Sequence, residues 1–522
     1  MTAKLLIKIL FSVFILTGAL PAEVNEEKPV GLDKYTFLEI PTDGQIYDME
    51  TVDFNQDGIN DIFVTCIIKD RQNNCSTRRS AIYFQDKKNG FTSNNCIKWE
   101  FDAKATALEI GNFLIDPGIE IGYLTKDGFF VYYITRDKNQ LEIKSKKLID
   151  VTPLHIHPAK YTLYIWQKPI DIDKNGYDDI IIPTSNGYQI YFQETPGEKF
   201  IQCIIPLKNQ SEILSSSGYS YIIKDLIPNF LIEDINNDGF KDIILFNKNN
   251  LSYYIQNAAA PSIERFARTH SGTQVINALE NKLKANELGY VSLRIIDINN
   301  DSINDLAISI MQGGIEDINK LRTQLLFFWG KTETKALLSY SGSPNQIITI
   351  KGVVPLIDFI DVNSDGNLDL VGASFQMDFS SNIQKAILRY LKLNYHVQLF
   401  QAKKNQFSSN MDYEKNFNFP LDLIGKGKKY FSHIYFRDFN GDNKPDILTI
   451  SGPSDDNGKL NIRLAKNDKE LWSPLMIGFY KDDYLLYRMK IPNETKIIDI
   501  NKDGKNDIIF IYRSKFMTIL SK

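Results

Sequence analysis

Little in this sequence points to catalytic chemistry. Five histidines and four cysteines are spread over 522 residues, and no two cysteines stand in a Cys-x-x-Cys pair, so zinc is not indicated. There is no nucleophile elbow, phosphate-binding glycine loop, His-Glu-x-x-His helix or dinucleotide fingerprint. Strong charge of one sign is also missing: 60 Lys and Arg stand against 64 Asp and Glu, for a net charge of −4. The basic residues are dispersed, so nucleic acid is not indicated as a partner. No stretch stays apolar for 18 residues, so no transmembrane helix is expected beyond the first segment.

That first segment, residues 1–22, reads as a secretory signal. Lys4 and Lys8 precede a short apolar run from Ile9 to Leu16, and small residues follow at Gly18, Ala19 and Ala22. An uncleaved anchor is the alternative, disfavoured because the run is short. The expectation is a secreted, periplasmic or cell-surface protein. Export permits disulfides. Cys66, Cys75, Cys96 and Cys203 allow three pairings. Cys75–Cys96, in polar segments of the first repeat, is the preferred pair, contributing about 3 kcal/mol; four free thiols are an equal alternative.

What the sequence does have is a repeat. The pattern Asp-x-Asn-x-Asp-Gly-x-x-Asp, followed by apolar residues, starts at Asp53, Asp171, Asp234, Asp297, Asp361, Asp438 and Asp499. The steps are 118, 63, 63, 64, 77 and 61 residues. The double step hides a worn copy at 112–120, which keeps Asp116 and Glu120 at the fifth and ninth places but has Leu114 at the third. Short β-branched and aromatic runs flank every copy. A period near sixty with about four strands fits a propeller blade. The expected fold is therefore all-β: a propeller of about eight four-stranded blades, with seven as the alternative, forming a single domain over residues 30–522. Only two strand-like runs follow the last loop, while an unassigned strand, 35–40, precedes the first. Pairing it with the last blade would close the ring and remove an open sheet edge. Two segments fit a plain blade less well: 274–289, which reads as a helix, and the polar stretch 403–428, which reads as an insertion on one face or as padding.

Each loop offers oxygen at its first, third, fifth and ninth places and a carbonyl at its seventh, the donor set of a hard cation such as calcium. The candidate ligands are Asp53, Asn55, Asp57, Ile59 and Asp61; Asp171, Asp173, Asn175, Tyr177 and Asp179; and Asp234, Asn236, Asp238, Phe240 and Asp242. Next come Asp297, Asn299, Asp301, Ile303 and Asp305, and then Asp361, Asn363, Asp365, Asn367 and Asp369. The last two sets are Asp438, Asn440, Asp442, Lys444 and Asp446, and Asp499, Asn501, Asp503, Lys505 and Asp507. A single copy would be an ordinary turn; seven at near-constant spacing imply up to seven structural Ca2+ ions. Ser302 and Asn443 replace the sixth-place glycine, and the 297–305 site is expected to be among the weaker ones. With Lys4 and Lys8 removed the charge of −4 becomes −6, and seven dications would bring it to +8.

These loops resemble the FG-GAP/VCBS-type repeats of integrin α-subunit propellers and of many secreted proteins. The resemblance implies calcium in the loop between the first two strands of each blade, and fixes architecture better than function. The integrin-type propeller has seven blades, and the Phe-Gly and Gly-Ala-Pro signatures are poorly kept here.

Other candidates are thinner. Glu50, Glu109, Lys168, Leu231, Arg294, Asp358, Tyr435 and Lys496 stand three residues before the loops. They would line a central channel or, as the favoured reading, form inter-blade salt bridges. His155 and His157 form a His-x-His pair without an evident third ligand, and Trp166 could stack on a sugar. The leading functional reading is a non-enzymatic module that binds a protein or glycan in an adhesion-like role. A calcium-dependent polysaccharide lyase and a purely structural surface scaffold are the alternatives.

Overall fold

The computed structural model describes residues 29–522 except 155–163, 166–169, 276–287, 313–320, 378–389, 423–432, 452–457, 466–483 and short gaps of one to four residues in other connections. The fold is an all-β propeller, with no α-helix among the described residues.

In the first blade the strands Gln45–Val52, Asp61–Asp70, Cys75–Asp86 and Gly90–Glu100 pair in chain order, each antiparallel to the next. Four-stranded sheets of the same order lie within 229–275, 353–422 and 433–489. The sheet within 288–351 also has four strands, but its outer one, Gln346–Lys351, follows a small separate hairpin. The second blade, within 107–149, has a fifth strand, because Tyr164–Ile165 adds in parallel to its first. With the closing blade, seven blades thus have four or five strands, matching the seven-blade alternative. The third repeat adds a three-stranded sheet, Ile180–Thr184, Gly187–Thr195 and Lys199–Pro206, and not the four strands expected of it. Where its first strand would run, a single bridge joins Ile170 to Asp179.

The second strand of each blade is an apolar run because it is covered on both faces. Ile62, Phe63 and Val64 are 0–1% exposed. Hydrophobic clusters fill the spaces between successive sheets. Phe54, Phe63 and Phe84 of the first blade pack on Leu108, Tyr123 and Tyr132 of the second; similar clusters join the third sheet to both its neighbours.

The ring closes as the sequence arithmetic requires. Tyr35–Pro41 pairs antiparallel with Lys515–Ser521 and completes a blade whose other strands are Glu494–Ile498 and Asp507–Ile511. Tyr35 packs toward the preceding blade, and Ile40 toward the first. The strand therefore joins the two ends of the ring through both of its faces.

Of the two segments that fit a plain blade less well, one lies mostly outside the described residues and the other contributes a strand. Of 274–289, the ends belong to the strands His270–Val275 and Leu288–Ile296, and 276–287 lie outside the described residues. Much of 403–428 is the outer strand Tyr413–Asp422, with Phe407 before it buried against Phe327 and Trp329. The preferred disulfide is absent, since Cys96 carries a free thiol. The register explains this. Cys96 lies opposite Tyr83, whereas Cys75 pairs with Asp70 at the far end of the same strand. Eight residues of strand separate them, roughly 27 Å at ~3.4 Å per residue, far beyond disulfide reach. Cys66 and Cys203 are also free, and both are buried.

Candidate functional site

In their described residues all seven loops fold alike. The backbone turns left-handed at the sixth place, where Gly58, Gly176, Gly239, Gly366 and Gly504 have φ between 86° and 94°. Ser302 and Asn443 take the same turn at φ 67° and 61°, a strained conformation for serine in particular. In every loop the sixth-place N–H donates to Oδ2 of the first-place Asp. The seventh-place N–H likewise donates to Oδ1 of the fifth-place residue. These bonds hold the first- and fifth-place side chains on the turn while leaving their oxygens further lone pairs.

The ninth-place residue plays a second part, invisible in the motif itself. Asp61, Asp242, Asp305, Asp369, Asp446 and Asp507 are 0% exposed, and Asp179 is 2% exposed. Oδ1 of each accepts a backbone N–H from further along its own blade, for instance from Gln85, Gln193 or Ser521. Oδ2 accepts the second-place N–H in the six loops where that residue is described. The side chain thus ties the loop to its sheet. The worn copy separates this role from ion binding. Glu120, 3% exposed, still accepts the N–H groups of Phe113 and Leu114, although Leu114 removes the third-place oxygen. Burial pushes these carboxyls up: Asp61, Asp242, Asp305 and Asp446 to about 7, Asp179 to about 8 and Asp507 to about 6.

Neighbouring loops are tied together. The eighth-place N–H of Asn60 donates to Ile500 O at 2.9 Å, that of Asp178 to Asn112 O at 2.9 Å, that of Leu368 to Ile298 O at 3.1 Å and that of Asn506 to Asp438 O at 2.9 Å. Asn304 Nδ2 reaches Asp234 O at 3.3 Å, and Gln256 Nε2 bridges Ile172 O and Lys241 O, both at 2.9 Å. These bonds join the loops in two runs along one rim of the propeller, 112–120 through 361–369 and 438–446 through 499–507 to 53–61. Gln193 and Gln256 are part of that rim and carry no motif signal.

The donor set fits a hard divalent ion. In the 171–179 loop, carboxylate oxygens of Asp171, Asp173 and Asp179 lie within 4.8 Å of one another. Oxygens bound to calcium at about 2.3–2.6 Å span up to about 5 Å. Among the described residues this is the one gathering of three such acids; each of the other six loops also has three carboxylates, at the first, fifth and ninth places, but these are not gathered within that distance. Asn236 and Asn363 lie outside the described residues, as do Asp116, His155, His157, Trp166 and Lys168.

The residues three places before the loops behave partly as inter-blade pairs. Lys496 reaches Glu50 at 3.1 Å across the ring closure, and Asp358 meets Arg437 of the next blade at 3.2 Å. Arg294 is exposed and Tyr435 half-buried. Glu109 is buried, and burial, with the Asp178 charge behind it, holds its carboxyl well above the ordinary range.

No protein-family model matches this chain, and no curated protein matches it. Among solved structures it is similar to an Agrocybe aegerita lectin described by its specific recognition of non-reducing terminal N-acetylglucosamine. The identity is 12% and the TM-score 0.38, over 91% of this chain and 99% of that one. It is also similar to an exotype rhamnogalacturonan lyase, at 9% identity and a TM-score of 0.22, over 92% of this chain and 91% of that one.

Proposed function

We propose that this chain is an exported, calcium-stabilised β-propeller of FG-GAP/VCBS-type repeats that serves as a rigid module for binding a protein or glycan. The observation that carries the reading is the rim: seven loops of one hydrogen-bonding pattern, each presenting oxygens at the same places and each tied to its sheet by a buried carboxylate. Calcium in this rim is structural. Its ligands serve the loops themselves, and the ligand-binding surface lies elsewhere on the propeller. The short basic-then-apolar start of the sequence supports export to a calcium-rich compartment, outside the cell or in the periplasm.

Elemental analysis tests the metal part. Protein purified in calcium and desalted should retain between about five and seven calcium ions per chain. Protein free of every divalent metal after that treatment would refute the reading. Immobilised glycans and extracellular proteins then test the binding part: retention should require calcium and vanish with a chelator.

A further inference from the structure

One loop carries its own cation. In the 171–179 loop the third place is Asp173 and not Asn, and Arg265 Nη1 lies 2.8 Å from Asp173 Oδ2. Arg265 comes from the next blade, directly after the short turn Ser262–Glu264. Its guanidinium carbon stands 5.1 Å from the centroid of Phe192, a ring of the third sheet that stacks on Phe266. The pair is well sheltered, with side chains 18% and 8% exposed. Nevertheless, Nε and Nη1 are buried without a well-directed hydrogen bond, so the contact is a charge contact and not the bidentate fork that arginine makes at its strongest. Elsewhere on the rim, Lys502 stands 3.9 Å from Asp53, but that lysine is half exposed and its interaction is weak.

We infer that Arg265 is the resident cation of the 171–179 loop, neutralising Asp173 when no ion is bound and opposing the entry of a divalent cation. The inference rests on the calcium reading above. A dication among Asp171, Asp173 and Asp179 would sit within a few ångströms of the guanidinium, where like charges repel strongly at reduced dielectric. This loop therefore fills last, and the junction between the third and fourth repeats holds its shape at calcium levels that leave other loops empty. Arg265 acts as a positioning residue for Asp173, and as a determinant of which rim site responds to calcium over a higher range.

Terbium luminescence reads this site selectively, because Tyr177 supplies the seventh-place carbonyl and puts a sensitising ring beside it; the other seventh-place residues include no Tyr or Trp. The part of the Tb3+ signal removed by Tyr177→Phe belongs to this loop. In the Arg265→Gln protein that part should reach its midpoint at about tenfold lower Tb3+ than in the unmodified protein. Arg265→Lys should leave the midpoint within about twofold. Arg265→Gln should also lower the melting temperature in chelator and lower it much less in saturating calcium. An unchanged midpoint, or an equal loss of melting temperature in both media, would overturn the inference. If Arg265→Gln does not fold, the double variant Asp173→Asn with Asn175→Asp is the second variant. It gives this loop the three acid places of the other six, should detach the guanidinium, and should narrow the gap between this midpoint and that of the remaining sites; an unchanged gap would overturn the inference. The two readings fail separately. Calcium-insensitive melting of the unmodified protein sinks the metal assignment, whereas calcium-sensitive melting with an unmoved midpoint sinks only the role of Arg265.

Discussion

Asp507→Ala destabilises the protein by roughly 2–6 kcal/mol even in chelator, and by more in calcium, where a ligand of the ion is lost as well. Asp507 Oδ2 accepts the Ile500 N–H at 2.9 Å, and Oδ1 accepts the Ser521 N–H at 2.6 Å and the Ser521 hydroxyl at 2.9 Å. The site is 0% exposed, so neither amide can turn to water once the carboxylate is gone. Each orphaned buried donor costs about 1–3 kcal/mol. Asp503, at the fifth place of the same loop, is the contrast: it is exposed, and a role as ion ligand makes Asp503→Ala costly in calcium but nearly silent in chelator. Urea unfolding of the two variants in both media separates a carboxylate that ties the loop to its sheet in addition to serving the ion from one that serves the ion alone. Equal behaviour of the two would contradict the division of labour drawn from the loops.

The second large effect is at the ring closure. Removing residues 30–42 deletes the strand Tyr35–Pro41, with its whole ladder to Lys515–Ser521 and the Lys515–Glu39 ion pair. It also strips Tyr35 and Ile40, 2% and 3% exposed, out of two inter-blade clusters. Burial of two such side chains alone is worth about 3–6 kcal/mol. The strand Lys515–Ser521 becomes a bare edge with apolar faces, a site for intermolecular pairing. The shortened protein should be largely insoluble or melt far below the intact one by circular dichroism. A soluble product with unchanged melting would show that the ring does not depend on this strand.

Both predictions draw on features that differ in how far the sequence exposed them. The loops were legible because the left-handed sixth place and the oxygen-bearing places demand particular residue types, repeated at fixed spacing. The closing strand was legible by subtraction, since the last repeat is one strand short. The ninth-place carboxylates were legible as acids but not as ties, because their partners, such as Gln85 and Ser521, are ordinary strand residues with no pattern of their own. Arg265 was illegible: it stands in a different repeat from Asp173, and only the packing of adjacent sheets brings them together. The same limit misled the disulfide assignment. Cys75 and Cys96 are near in sequence, but register places them at opposite ends of a hairpin.

Melting temperature against pH, in excess calcium and in chelator, shows most directly whether the rim needs metal. Without metal, burial raises the ninth-place carboxyls from their ordinary value of 3.8 to about 6–8. A raised folded-state pKa means that the folded chain binds protons more tightly, so this contribution is complete below about pH 4 and is lost as pH rises through about 6–8. The chelated protein should therefore melt at progressively lower temperature between about pH 4 and pH 8. On the proposed reading calcium would stabilise the ionised form and bind the folded state alone, so it should raise the melting temperature in a dose-dependent way and reverse that trend near neutral pH. Superimposable melting curves in calcium and chelator across this range would contradict the account.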